Sequence, residues 1–262
     1  MTNLISRETA SHWYTSNGEP AYTQVAKNGN IRNTTLTDAK KLGLYPSVTT
    51  IMKLIAKPQL EIWKQEQAIL SALTLPREES ETDDVFVHRV VSDFNEQGKS
   101  AAEFGTVVHD EIYNYFANNV EPSDDTRKQM ISEIKKGFAM TNLTPVAYED
   151  VMVGSGFAGK YDMLCTDPFG KHWVVDFKTQ DFKDKVNVYD EWIWQLGAYS
   201  LDTKIAENIG GALNVVIQKT NVTNVHFVMH NLDILKQGRK IFLTIFELWK
   251  MIKGYDPMAG ER

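Results

Sequence analysis

The sequence predicts an α/β protein in which a mixed central sheet, flanked by helices, follows a mostly helical N-terminal stretch. Three observations carry this. Before about residue 145, apolar residues recur at helical spacing. Between 146 and 178, short β-rich segments alternate with Gly- and Pro-rich turns. Beyond 189, helix-length and strand-length runs alternate. The expected organisation is an extension at 1–145 and a core at 146–262, together one compact domain. At 262 residues, 42% hydrophobic and 24% charged, the chain has ample material for a core.

Taken in order, His12-Trp13-Tyr14-Thr15, Asn17-Gly18 and Tyr22-Thr23-Gln24-Val25 predict a β-hairpin, because Asn-Gly suits a two-residue turn; Asn28-Gly29 predicts another turn. Pro46-Ser47-Val48-Thr49-Thr50 opens a helix, with Ser47 as N-cap for the run through Ile51, Met52, Leu54 and Ile55. Pro58 starts the next, carrying Leu60, Trp63, Gln67 and Leu70. Residues 76–84 form an acidic solvated connection and first helical turn. Val87, Val90, Val91 and Phe94, then Phe104, Val107, Val108 and Ile112, predict one long helix or two consecutive ones from Val85 to about Ala117, weakened at Gly98 and Gly105. Another helix is expected over 124–142. Segments 146–153, 157–165 and 172–178 read as a three-stranded meander, broken at Gly154-Ser155-Gly156 and Asp167-Pro168-Phe169-Gly170. A helix at about 189–208, strands at 212–219 and 225–229, and a helix at 231–252 complete the chain.

Composition narrows the function. A net charge of −6 and a pI near 5.6 argue against coating nucleic acid by bulk attraction, though not against a local basic groove. No apolar run reaches the roughly 18 residues of a membrane span. The single cysteine, Cys165, rules out an internal disulfide and any metal site needing several thiolates. Met1-Thr2-Asn3-Leu4-Ile5-Ser6-Arg7 lacks the basic start and apolar stretch of a secretory signal, so a reducing, cytosolic setting is expected.

The chemistry concentrates in Glu149, Asp162 and Asp176-Phe177-Lys178. Residues 176 and 178 leave the same face of a strand, directly after the apolar run Trp173-Val174-Val175. Such charges are costly there unless they meet each other, a metal or a ligand. Asp162 lies one strand earlier and Glu149 one before that, so adjacent strands can gather carboxylates. Clustered carboxylates repel, and Mg2+ or Mn2+, hard ions that prefer oxygen, would neutralise them. Acid-x-Lys alone is weak: it also begins at Asp38, Glu133, Asp181 and Asp202. A strand-end ion pair is the plain alternative for Asp176 and Lys178.

Gly105-Thr106-Val107-Val108-His109, Gly159-Lys160-Tyr161-Asp162, Val175-Asp176-Phe177-Lys178-Thr179 and Gln195-Leu196-Gly197-Ala198-Tyr199 occur in that order. Together they resemble the RecB-like branch of the PD-(D/E)XK nucleases, which includes the mitochondrial genome-maintenance exonuclease and many phage exonucleases. Pro46-Ser47-Val48-Thr49-Thr50 is similar to an upstream segment of those relatives, so the likeness runs from about residue 45 to 200. The resemblance implies a restriction-endonuclease-like core and a metal-dependent deoxyribonuclease using one or two Mg2+ or Mn2+ ions on DNA with a free end, in a bacterial or phage-infected cell. It implies Asp162 and Asp176 as metal carboxylates, His109 and Glu149 as further metal ligands, and Lys178 as the lysine that positions water. Gln195 and Tyr199 would support the site from the following helix. Proline is absent at Tyr161, which removes no chemistry, and the iron–sulfur form of the family is excluded by the cysteine count.

Several alternatives stay open at this level. Gln195 and Tyr199 also fit an ordinary amphipathic helix, His109 a hydrogen-bonded or exposed helical histidine, and Glu149 a surface strand residue. Lys183 and Lys185 could contact phosphates or be solvated. Trp192 and Trp194 could stack on bases or pack in the core, and Lys53, Lys57 and Lys64 could wall a groove. An endonuclease, or a catalytically silent DNA- or partner-binding module, would share the same core. A zinc-protease reading of His109-Asp110-Glu111 fails, because Gly105 and Tyr113 occupy the positions four away.

Overall fold

The computed structural model describes residues 11–122 and 124–259. The segment read for a secretory signal, Met1 to Arg7, lies outside them. The chain divides into two compact units, one drawn from the described parts of Met1–Leu54 and Tyr113–Arg262, the other Ile55–Ile112.

The larger unit is organised by a five-stranded sheet. Its strands are β5 (Thr144–Tyr148), β8 (Met163–Thr166), β9 (His172–Gln180), β10 (Ile209–Gln218) and β11 (Val225–His230), in the spatial order β11-β10-β9-β8-β5. Only β9 and β10 run parallel; the remaining pairs are antiparallel, which makes the sheet mixed, as expected. Val174, Val175 and Phe177 on β9 and Leu213, Val215, Val216 and Ile217 on β10 are buried, the near-continuous apolar run of central strands covered on both faces.

Helices lie on both faces. On β11, Phe227 packs edge-on to Phe138 of α5 (Asp125–Thr141), and Gly137 of that helix has no room for a Cβ against the Phe227 ring. The next residue, Val228, packs with Trp192 of α6 (Asp190–Tyr199). Successive strand residues point to opposite faces, so α5 and α6 sit on opposite sides. Against α6 runs α7 (Leu232–Lys253), capped by Asn231, whose side chain accepts from the Asp233 and Ile234 amides. The two helices touch backbone to backbone: a Cβ on Gly197 would lie 2.5 Å from Gly238 C and Arg239 N, and one on Gly238 would lie 2.5 Å from Ile193 O. Arg239 then donates to the Ser200 hydroxyl (2.7 Å) and carbonyl (2.9 Å), closing the C-terminal end of α6.

The N-terminal elements of this unit buttress the same region. Ser47 caps α2 (Val48–Met52) by accepting from the Thr50 amide at 3.0 Å and bridges to Ala158. Asn28-Gly29 forms the predicted turn between β2 (Thr23–Val25) and β3 (Ile31–Asn33). In the smaller unit Pro58 opens α3 (Pro58–Thr74), and α4 (Asp83–Asn118) is a single helix carried through Gly98 and Gly105; its residues beyond Ile112 belong to the larger unit. Gln97 of α4 donates to Ser71 of α3 at 3.3 Å.

Four expectations need correction. The first Asn-Gly turn forms, with Gly18 at φ +86°, but it does not close the predicted hairpin. The return segment bridges to Tyr14 at Pro20, a residue with no amide to donate, and the Tyr22 hydroxyl donates to that of Tyr14 at 2.6 Å, but the strand ladder of β1 (Trp13–Tyr14) is made with the distant β4 (Tyr45–Pro46). The expected strand 146–153 is two strands, β5 and β6 (Val151–Val153), because Glu149 adopts a left-handed φ of +46° and turns the chain. Likewise 157–165 is β7 (Ala158–Lys160) and β8. The meander therefore splits: β6 and β7 form their own hairpin while β5, β8 and β9 join the main sheet. The helix expected at 189–208 ends at Tyr199. There Arg239 takes the Ser200 carbonyl and the Thr203 amide turns to Val153 O, leaving a short 3-10 turn at Ala206–Asn208.

Two glycine substitutions separate close approach from helix propensity. Gly197→Ala must force α6 from α7 and is expected to destabilise the protein by about 1–3 kcal/mol. Gly98→Ala, in a helix with nothing within 4 Å of the new Cβ, should stabilise by about 0.5–1 kcal/mol. Thermal unfolding followed by circular dichroism checks both signs.

Candidate active site

β8 and β9 pair with Met163 opposite Val175. One further step of that register sets Asp162, the residue before β8, opposite Asp176. The Asp162 Oδ2 accepts the Phe177 amide at 2.7 Å, which ties the carboxylate to the edge of β9. Asp176 is 3% exposed although it carries a carboxylate. Lys178, two residues on and on the same face, donates to it: Nζ lies 3.0 Å from Oδ1 and 2.7 Å from Oδ2. Its stem passes Trp192, whose ring centroid is 6.0 Å from Nζ.

The predicted pair on α6 stands directly behind the lysine. Lys178 Nζ donates to Gln195 Oε1 at 3.1 Å, and Gln195 Nε2 donates to the Tyr199 hydroxyl at 2.9 Å. Their i, i+4 spacing puts both on one helical face, as the sequence implies. Tyr199 is buried at 4% exposure, and burial, followed by the negative charge of Asp176, holds its phenol well above the ordinary value. Gly159 makes room for it: a Cβ there would meet the Tyr199 ring at 2.9 Å and Val48 at 3.2 Å. The glycine of Gly159-Lys160-Tyr161-Asp162, the glycine of the Gln195–Tyr199 segment and Val48 of Pro46-Ser47-Val48 thus serve one packing arrangement.

The two remaining metal candidates are carried by other elements. Glu149 lies in the bend between β5 and β6; its amide donates to Asp162 O at 2.9 Å while its carboxylate forms an ion pair with Lys160. His109 is on α4 in the smaller unit. The other acid-x-Lys acids have structural work. Asp38 binds Arg32 and completes a capping box with Thr35; Glu133 pairs with Lys136; Asp181 accepts the Thr220 amide. Asp202 is fully buried and accepts the Lys204 amide.

Trp192 is a core residue, packed with Phe182, Val186 and Val216. Phe182 and Val186 anchor the loop from β9 to α6. Gln180 adds a two-way clamp on the Asn187 backbone, and Gln218 donates to Phe182 O. Lys183 and Lys185 are exposed on that anchored loop.

Two buried polar residues escaped the sequence reading. Asn214 on β10, directly across from Asp176 in the parallel register, donates through Nδ2 to Asp176 Oδ2 at 3.0 Å. Its Oδ1 lies 2.9 Å from Nε2 of His230 on β11. Burial lowers the His230 pKa. The signal was an asparagine inside Ala212-Leu213-Asn214-Val215-Val216-Ile217, where a polar side chain must find a buried partner.

Asp162 and Asp176 present oxygen donors from adjacent strands. Among the described residues no group of three or more His, Cys, Asp and Glu side chains is assembled for a metal. Such a donor set does not fit zinc, which takes three or four protein ligands. It fits Mg2+ or a similar hard ion, which binds through one or two carboxylates and fills its shell with waters and substrate phosphate oxygens.

Charge is unevenly divided between the units. Ile55–Ile112 holds five Lys and Arg against twelve Asp and Glu, more than the chain's whole net charge of −6. Lys57 and Lys64 therefore belong to an acidic segment, and Lys64 is paired with Glu61 at 2.7 Å. No helix among the described residues is long and apolar enough to cross a membrane.

The chain is similar to known proteins at low identity. A candidate exonuclease from Eubacterium rectale is 14% identical, with 68% of this chain and 70% of that one covered at a TM-score of 0.38. An alkaline exonuclease from Laribacter hongkongensis is 10% identical, over 56% of this chain and 84% of that one, at a TM-score of 0.28. No curated protein matches the sequence. The family comparison is decisive: residues 72–253 match the PD-(D/E)XK nuclease superfamily, and the chain belongs to that superfamily of nucleases.

Proposed function

We propose that the chain is a Mg2+- or Mn2+-dependent deoxyribonuclease that removes nucleotides from DNA ends, with Asp162, Asp176 and Lys178 at its catalytic centre. The observation that carries this reading is the facing of two carboxylates across β8 and β9, with the Lys178 ammonium held beside one of them. Bound divalent ions supply positive charge against the scissile phosphate and an acidified water as nucleophile. Asp162 and Asp176 hold those ions. Lys178 orients the attacking water and offsets charge that develops on the phosphate oxygens. Gln195 turns its carbonyl to the ammonium because its NH2 is committed to Tyr199, and the neutral phenol keeps that amide in register.

His109 and Glu149 are proposed as further metal-shell members on motif resemblance. Glu149 would have to exchange its Lys160 partner for the metal. Lys183 and Lys185 contact phosphates beyond the scissile one, from a loop held by buried Phe182 and Val186. The preference for ends over internal sites rests on the likeness of the ordered motifs to exonucleases, and the same likeness supports a bacterial or phage-infected cell as the setting.

Asp176→Ala and Lys178→Ala should each lower cleavage by about a hundredfold or more while keeping the circular dichroism spectrum of the folded protein. Asp181→Ala, which loses only a bond to the Thr220 amide, should cleave like wild type. Folded Asp176 and Lys178 variants with full activity would refute the assignment. End-labelled linear DNA should be degraded with Mg2+ or Mn2+, protected by EDTA, and covalently closed circles left intact. Cutting of circles would establish an endonuclease, and no cleavage with either metal a binding module. Gln195→Ala should slow cleavage about 10–100-fold at saturating DNA, the usual loss when the partner that orients a site group is removed.

A further inference from the structure

The Asp176 carboxylate is 3% exposed, and Lys178 Nζ lies 3.0 Å from its Oδ1 and 2.7 Å from its Oδ2. From it a buried polar chain runs across three strands. Asp176, Asn214 and His230 come from β9, β10 and β11, and the last two are 0% and 4% exposed. Asn214 Nδ2 is 3.0 Å from Asp176 Oδ2 and 3.5 Å from the Asp176 backbone oxygen, and Asn214 Oδ1 is 2.9 Å from His230 Nε2.

The chain has one workable polarity. An asparagine amide has two different ends, and only its NH2 end can donate to a carboxylate. With NH2 toward Asp176, Oδ1 faces the imidazole, so the ring must carry its proton on Nε2. A flipped amide would set oxygen against carboxylate on one side and NH2 against N–H on the other. His230 thus fixes the amide, and the amide fixes the carboxylate plane. Val216, the next residue along the face that carries Asn214, is fully buried and apolar, so loss of one member leaves its partner buried without a hydrogen bond.

We propose that Asn214 and His230 are positioning residues for the catalytic metal centre: they hold the Asp176 carboxylate in the orientation that binds the divalent ion. The inference rests on the reading of Asp176 as a metal carboxylate. It assigns a role to two residues that touch neither substrate nor metal. It also explains why a strand otherwise apolar from Ala212 to Ile217 contains an asparagine.

The test is direct Mn2+ binding to the whole protein by isothermal titration calorimetry, beside cleavage of linear DNA as a function of metal concentration. Asn214→Leu keeps the volume and removes the donor. It should weaken Mn2+ binding about 10–100-fold, the usual cost of losing a partner that orients a metal ligand, and raise the metal concentration for half-maximal cleavage by the same factor. His230→Leu should act in the same direction, and His230→Gln, which restores a donor to Asn214, should recover most of the loss. That rescue keeps the proposal testable if Asn214→Leu does not fold, since a packing role alone would not distinguish glutamine from leucine. Mn2+ affinity within twofold of wild type in folded Asn214→Leu, or equal weakening in His230→Leu and His230→Gln, would overturn it. Asp176→Ala is the control: if it too bound Mn2+ and cleaved DNA like wild type, the active-site reading itself would be at fault.

Discussion

The structure depends on keeping a carboxylate charged inside a sheet. Asp176 sits in the middle of the parallel β9–β10 pair, between valines and a phenylalanine that are fully buried. An unpaired charge there would cost several kcal/mol, so the neighbouring elements converge on it. Lys178 comes from its own strand and Asn214 from the next, while Gln195 and Tyr199 steady the lysine from the helix above.

Close backbone packing makes the convergence geometrically possible. α6 can stand over Lys178 only because Gly197 and Gly238 let it lie against α7 with no side chain between, and because Gly159 leaves space for the Tyr199 ring. Val48, on the short helix capped by Ser47, fills the opposite side of Gly159. The motif glycines therefore place side chains rather than loosen loops. The smaller unit differs in character. It is strongly acidic, whereas in the larger unit Lys178, Lys183 and Lys185 lie on one strand and the loop that follows it.

The sequence was most legible where period and chemistry coincided. The helices opening after Ser47 and Pro58 and the C-terminal helix follow from caps and apolar spacing. Asp176 and Lys178 on one strand face, and Gln195 and Tyr199 on one helix face, follow from periods of two and of 3.6 residues. What stayed hidden was nonlocal. Trp13-Tyr14 reads like the first arm of a hairpin, yet it pairs with Tyr45-Pro46, and no local pattern distinguishes the two. The break at Glu149 depends on a left-handed φ in a residue type that rarely adopts it. Asn214 and His230 are unremarkable residues until the register of β9, β10 and β11 sets them in line with Asp176.

The central claim is that Asp162 and Asp176 together bind the divalent ion used for cleavage. Crystals of the protein grown with Mn2+, with anomalous scattering recorded at the manganese edge, test it most directly. The account predicts an anomalous peak bound by oxygens of both carboxylates, lost in Asp162→Ala and Asp176→Ala crystals. A manganese peak held by other residues, or one that survives both substitutions, would contradict it.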